Sequence, residues 1–141
     1  MKKRMNKKGF TLAELLIVVA IIGVLVAVSI PIFTSQLNKS KYATDEANAR
    51  SIYGELQADY LANGGAQKIT LSPAAVTAGT PVSIVVTESD GTTNTYKFSG
   101  IVGVTFTSGT TTTQPKVEIA ACTAAGVADS VVLGGAAVGS T

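Results

Sequence analysis

The carboxylate of Glu14 stands at the entrance to an almost unbroken apolar run from Leu15 to Phe33, behind the stretch Lys7-Lys8-Gly9-Phe10-Thr11-Leu12-Ala13. An ionised side chain in hydrocarbon costs roughly 2.5–3.5 kcal/mol on insertion scales, so a plain anchor has no use for one there. The chemistry such an acid offers is charge pairing with a cation. Little else in the chain suggests chemistry. There is no His, which removes the commonest general base and metal ligand. No nucleotide-binding glycine loop precedes a helix, and no paired-Cys spacing points to zinc. The close acidic pairs, Asp45-Glu46 and Glu88-x-Asp90, read as exposed charges, one on a helix and one beside a turn. No catalytic constellation is visible, so the expectation is a protein that is not an enzyme and uses no cofactor or metal.

The elements that must position Glu14 follow from the hydropathy pattern. Leu15 to Phe33 makes about 28 Å of helix at 1.5 Å per residue, against a hydrocarbon core near 30 Å, so the segment can span a membrane. Ser29 is its one polar side chain and can bond a carbonyl of the preceding turn. Pro31 removes the amide that would have bonded the Ala27 carbonyl, and Gly23 lowers helix propensity, so both are expected weak points of the helix. Residues 1–8 are basic and polar, the composition that stays on the cytoplasmic side. Five of the eleven basic residues lie there. Without residues 1–9 the chain keeps six basic residues against nine acidic ones, a net charge of −3. Nothing after that leader resembles a nucleic-acid-binding surface, which needs clustered Lys and Arg. An ordinary secretory signal has a shorter apolar core followed by a small-residue cleavage site. Here Ala27-Val28-Ser29 is trailed closely by Pro31, and Glu14 burdens the core.

Beyond Phe33 the chain turns polar while keeping a helical pattern. Ala49, Ile52, Tyr53, Leu56 and Tyr60 recur at three- and four-residue steps, with Tyr42 on the same face two turns earlier. Asp45 projects close to this stripe. The helix is expected from about Phe10 to Asn63, on the order of 80 Å, with Gly64 as its carboxyl-terminal cap. The tyrosines, with Phe10 and Phe33, read as packing residues rather than as an electron path. From Pro73 onward Thr, Val, Gly and Ser dominate, and four or five antiparallel strands are expected among Val82–Thr87, Thr93–Phe98, Ile101–Thr107, Lys116–Ala121 and Ser130–Leu133. Packed over the amphipathic half of the helix they complete an α+β head. The single Cys122 excludes an intramolecular disulfide and is expected as a buried thiol.

Lys8-Gly9-Phe10-Thr11-Leu12-x-Glu14-Leu15, followed by an apolar helix containing Gly23 and Pro31, resembles the amino terminus of type IV prepilins. The resemblance is specific over about residues 7–35 and architectural thereafter. It implies the type IV pilin fold: a leader at 1–9, a transmembrane and filament-core helix at 10–35, and an amphipathic half at 36–64. A β-sheet head at 65–133 and a flexible tail at 134–141 follow. It also implies cleavage between Gly9 and Phe10 by a prepilin peptidase, N-methylation of Phe10, and a role for Glu14 in subunit assembly. The acid would pair with the Phe10 amine of its own chain or of a neighbour. Between Gly23 and Pro31 the helix would lose helicity inside a filament. Further implied partners are copies of the chain itself in a helical filament, an assembly platform protein and a cytoplasmic ATPase. Before assembly the precursor would sit in the cytoplasmic membrane, head outward, and afterwards in an extracellular pilus serving adhesion, motility or DNA uptake. The missing disulfide resembles Gram-positive pilins more than Gram-negative ones. Two alternatives stand: a pseudopilin of a type II secretion or competence apparatus, and a monomeric membrane-anchored binding module.

Overall fold

The computed structural model describes residues 9–136, so the basic leader expected at 1–8 and the last five residues of the expected tail lie outside the described residues. The chain divides into two units, Met1–Thr34 and Ser35–Thr141. One helix, α1, runs from Leu12 to Ala62 with Pro31 inside it. Both expected ends fall within two residues of the observed ones, the margin at which helix ends fray.

In the first unit α1 is apolar on every side and none of the described residues covers it. Leu16 is 67% exposed and Phe33 69%. Two hydroxyls in and next to this segment are satisfied by the helix itself: Ser29 donates to the Leu25 carbonyl at 2.6 Å and Thr34 to the Pro31 carbonyl at 3.0 Å. Such back-bonding lets a hydroxyl sit in an apolar segment without an unpaired donor. α-Helical structure continues through Pro31, whose lost amide leaves the carbonyl one turn earlier without its usual partner.

In the second unit the polar part of α1 buries one face. Tyr42, Asp45, Ala49, Ile52, Leu56 and Tyr60 are buried, at the three- and four-residue steps that keep side chains on one side of a helix. Tyr53 is only partly buried and packs at the edge of the core. The helix stops at Gly64, whose φ of +63° an L side chain rarely adopts. The Gly65 N–H then reaches back to the Tyr60 carbonyl at 2.9 Å, closing the last turn. Asp59 fixes the loop that follows. Its Oδ2 accepts from the Lys68 and Ile69 N–H groups at 2.6 and 3.1 Å, and its Oδ1 from Asn63 at 2.7 Å.

Seven strands follow: β1 (Thr70–Ser72), β2 (Ala75–Val76), β3 (Val82–Thr87), β4 (Thr93–Phe98), β5 (Val104–Thr107), β6 (Lys116–Ile119) and β7 (Val131–Gly134). They form two antiparallel sheets, ordered β1-β3-β4 and β2-β5-β6-β7. The expected α+β architecture is therefore present, with the strands divided between two sheets where one was expected. β3 and β4 occupy their expected ranges, joined by a turn in which Asp90 Oδ1 accepts from the Thr92 N–H at 2.8 Å. That hydrogen bond lowers the Asp90 carboxyl below its ordinary value. β1 and β2, of three and two residues, were not expected. The chain changes sheets between β4 and β5 at Ser99-Gly100, where any Cβ on Gly100 (φ +74°) would overlap the Thr80 backbone. One core joins all layers: Ile52 and Leu56 from α1, Ile84 and Val86 from β3, and Val104, Val117 and Ile119 from the second sheet. Cys122 is buried within it, its Sγ donating to the Ile101 carbonyl at 3.5 Å. Residues 134–136, assigned above to a flexible tail, are paired. Gly134 stands opposite Lys116, the Gly135 N–H bonds the Pro115 carbonyl, and the Gln114 N–H bonds that of Ala136.

Candidate functional site

The site begins where α1 begins. Thr11 is the residue just before the helix, and its side chain and that of Glu14 bond each other's backbone. The Thr11 N–H donates to Glu14 Oε2 at 2.9 Å, and the Glu14 N–H donates to Thr11 Oγ1 at 3.3 Å. This reciprocal pattern is a capping box, which satisfies amides that the first helical turn leaves open. A negative charge there also meets the positive end of the helix dipole. Glu14 is thereby given a local hydrogen-bond partner and a fixed place at the tip of an apolar helix. The sequence reading passed over Thr11, although Thr-x-x-Glu directly before an apolar run is the signature of such a box.

Gly9 and Phe10 precede this box and both are exposed, Phe10 to 88%. Apart from its two chain neighbours, none of the described residues has an atom within 4 Å of where a Gly9 Cβ would be. The same holds for Gly23. The Gly9–Phe10 bond lies one residue ahead of the cap. Behind Glu14, α1 is the one helix among the described residues long and apolar enough to cross a membrane.

Elsewhere Asp45, Glu46 and Glu55 serve the fold. Asp45, expected as an exposed charge, is instead completely buried. Its Oδ1 accepts from the Ser99 N–H and its Oδ2 from the Ser99 hydroxyl, each at 2.7 Å. Its place at the Tyr42–Ala49 step of the buried stripe was the available signal. Glu46 remains partly exposed and pairs with Arg50 at 2.7 Å. Glu55 ties α1 to β4, since its Oε1 accepts from the Tyr96 hydroxyl at 2.6 Å and from Asn94 at 3.0 Å. The bond to Glu55, then burial, push the Tyr96 phenol up to about 12. The folded head holds this proton more tightly than the unfolded chain does. The stability it adds is full below the ordinary value of 10.0 and disappears as pH climbs towards about 12. An alkaline absorbance titration is expected to show one phenolate forming only near pH 12, and Tyr96→Phe to remove that step. Among the described residues no group of three or more His, Cys, Asp or Glu side chains is arranged to hold a metal ion.

Residues 4–30 match the family model of the prokaryotic N-terminal methylation motif. This chain carries that motif. Over 48 residues it is 48% identical to the type IV major pilin protein PilA of Myxococcus xanthus, covering 34% of this chain and 22% of that protein. Over 52 residues it is 48% identical to the type IV narrow pilus major component PilA5 of Thermus thermophilus, covering 35% of this chain and 45% of that protein. The matched stretch thus spans under half the length of either curated relative. No solved structure matches the chain. The amino-terminal segment is thus similar to that of type IV pilins, and behind it the chain has an α+β architecture. These matches lend no support to the Gram-positive likeness.

Proposed function

We propose that this chain is a prepilin whose mature form polymerises into a type IV pilus. The observation that carries the reading is a methylation motif set on a helix whose apolar half is uncovered on all sides, with a carboxylate at its tip. A surface of that size stays out of water only in lipid or against other such helices. The precursor occupies the first environment, anchored in the cytoplasmic membrane by α1, and the filament supplies the second.

A prepilin peptidase cuts between Gly9 and Phe10, and the new amine of Phe10 becomes methylated. That amine appears within a residue of Thr11, beside the Glu14 carboxylate held in the capping box. In the filament the carboxylate exchanges its cap bond for the Phe10 amine of an adjoining copy. Two charges are then neutralised together, and one stagger is selected over others, because a half-made pair in a dry core is strongly disfavoured. An assembly platform protein and an ATPase drive extension, since the chain shows no nucleotide-binding loop of its own. Gly23 and Pro31 are the places where the packed helix gives way under tension. The two relatives are described as major components of pili, which favours a pilus subunit over a pseudopilin. A monomeric membrane-bound module accounts for neither the motif nor the acid.

The test is mass spectrometry of the amino-terminal peptide from sheared surface filaments. The expected peptide starts at an N-methylated Phe10. A peptide starting at Met1, or no pelletable polymer containing the chain, overturns the reading.

A further inference from the structure

We infer that Asn63–Gly64, where α1 gives way to the loop into β1, is a self-modifying site. When this corner opens, Asn63 loses its side-chain amide for good, and Asp59 is the brake on that loss. The site is independent of the filament reading above. Asn63 is the one asparagine of the chain that glycine follows. The pair is reactive because glycine has no Cβ to keep its nitrogen from the neighbouring carboxamide. The Gly64 nitrogen attacks Asn63 Cγ and a C–N bond forms, closing a cyclic imide. The Cγ–Nδ2 bond breaks, and ammonia leaves with the proton of the Gly64 amide. Water then opens the imide at either carbonyl, leaving aspartate or isoaspartate at position 63. No oxidant, metal or enzyme takes part.

The folded corner leaves the nucleophile free and restrains its target. Gly64 is exposed, and its N–H is loosely engaged, 3.5 Å from the Leu61 carbonyl, where the Gly65 N–H lies 2.9 Å from that of Tyr60. Apart from its chain neighbours, none of the described residues has an atom within 4 Å of where a Gly64 Cβ would be. The carboxamide, by contrast, is held twice. Asn63 Nδ2 donates to the Asp59 carbonyl at 2.9 Å and to Asp59 Oδ1 at 2.7 Å, which turns the leaving group back over the preceding turn of α1. Asp59 Oδ2 is committed to the Lys68 and Ile69 N–H groups, so the brake and the loop release together. Local openings of this kind need less free energy than unfolding the whole head. Conversion sets a carboxylate where an amide donor met Asp59, and like charges replace a hydrogen bond. Isoaspartate also lengthens the main chain inside the turn that the Gly65–Tyr60 bond closes. A corner that has reacted does not close as before, and the loop into β1 stays loose.

The test follows residue 63 in the full chain, kept folded in detergent at mildly alkaline pH. Mass spectrometry of the tryptic peptide from Ser51 to Lys68 distinguishes asparagine, aspartate and isoaspartate. The same chain unfolded in urea is expected to convert at least about tenfold faster than the folded one. Equal rates, or no conversion in either, overturn the inference. Asp59→Ala is expected to raise the folded-state rate by about tenfold. Asp45→Ala, which weakens the head away from this corner, should leave it within about twofold. An unchanged rate in Asp59→Ala, or an equal rise in Asp45→Ala, overturns the local brake. Asn63→Asp supplies one product directly and should lower the melting temperature of the chain by roughly 5 °C. A melting curve that matches the parent's would show that conversion loosens nothing.

Discussion

A Glu14→Ala chain is expected to be made, inserted and cut, and to leave few or no filaments on the surface. Removing one member of a buried ion pair costs on the order of 3–5 kcal/mol, because the other charge is left in a dry core without compensation. In a polymer that loss recurs at every subunit, so a drop in sheared filament of at least about a hundredfold is expected from one such loss per joint. The capping box complicates this substitution, since Ala also removes the bond between the Glu14 carboxylate and the Thr11 N–H. Glu14→Gln separates the two effects. Its amide oxygen can still accept from the Thr11 N–H, so the helix start is kept while the charge is gone. Filament loss in both variants, with normal chain in the membrane fraction, assigns the effect to charge. Normal filament yield from Glu14→Gln removes the proposed pairing.

The second large effect is expected far from any assembly surface. Asp45→Ala should lower the stability of the head by about 3 kcal/mol, from the loss of two hydrogen bonds at a fully buried carboxyl group and the Ser99 N–H left unpaired. For a unit of this size that is a fall in melting temperature of roughly 10 °C or more. The variant leaves the Ser99 N–H without its acceptor at the point where the chain passes from one sheet to the other. Asp45→Asn should be milder, since its oxygen still accepts from that N–H and its amide can face the Ser99 hydroxyl. Thermal melting of the full chain in detergent, followed by circular dichroism, checks both. A melting curve for Asp45→Ala that overlays the parent's would show that the Asp45–Ser99 contact carries no stability.

The contrast between these two acids shows what the sequence made legible. Glu14 stood out because its surroundings are uniformly apolar, and a lone charge in such a run has few interpretations. The stripe from Tyr42 to Tyr60 was readable for a related reason: a helix that must bury one side writes its period into the chain. Asp45 sits on that stripe, yet its residue type argues for solvent, and only the approach of Ser99, 54 residues later, resolves the conflict. No local pattern encodes a contact of that sequence separation. β3 and β4 were legible because a β-branched run, a Ser-Asp-Gly turn and a second run follow one another directly. β1 and β2 were not, because two or three residues cannot display alternation, and they pair with strands distant in sequence. The division into two sheets was hidden for the same reason. Thr11 was hidden in plain sight, its spacing to Glu14 being a known helix-start signal overshadowed by the charge beside it.

The seating of Cys122 has a further consequence. The carboxyl-terminal part of the head is closed by main-chain pairing, Cys122 with Val127 and β6 with β7, around a sulfur that lies inside the core. Its shape therefore depends on no electron acceptor. The head reaches its final form by reversible contacts alone, whatever the redox state around it. The thiol is withdrawn from stray oxidants.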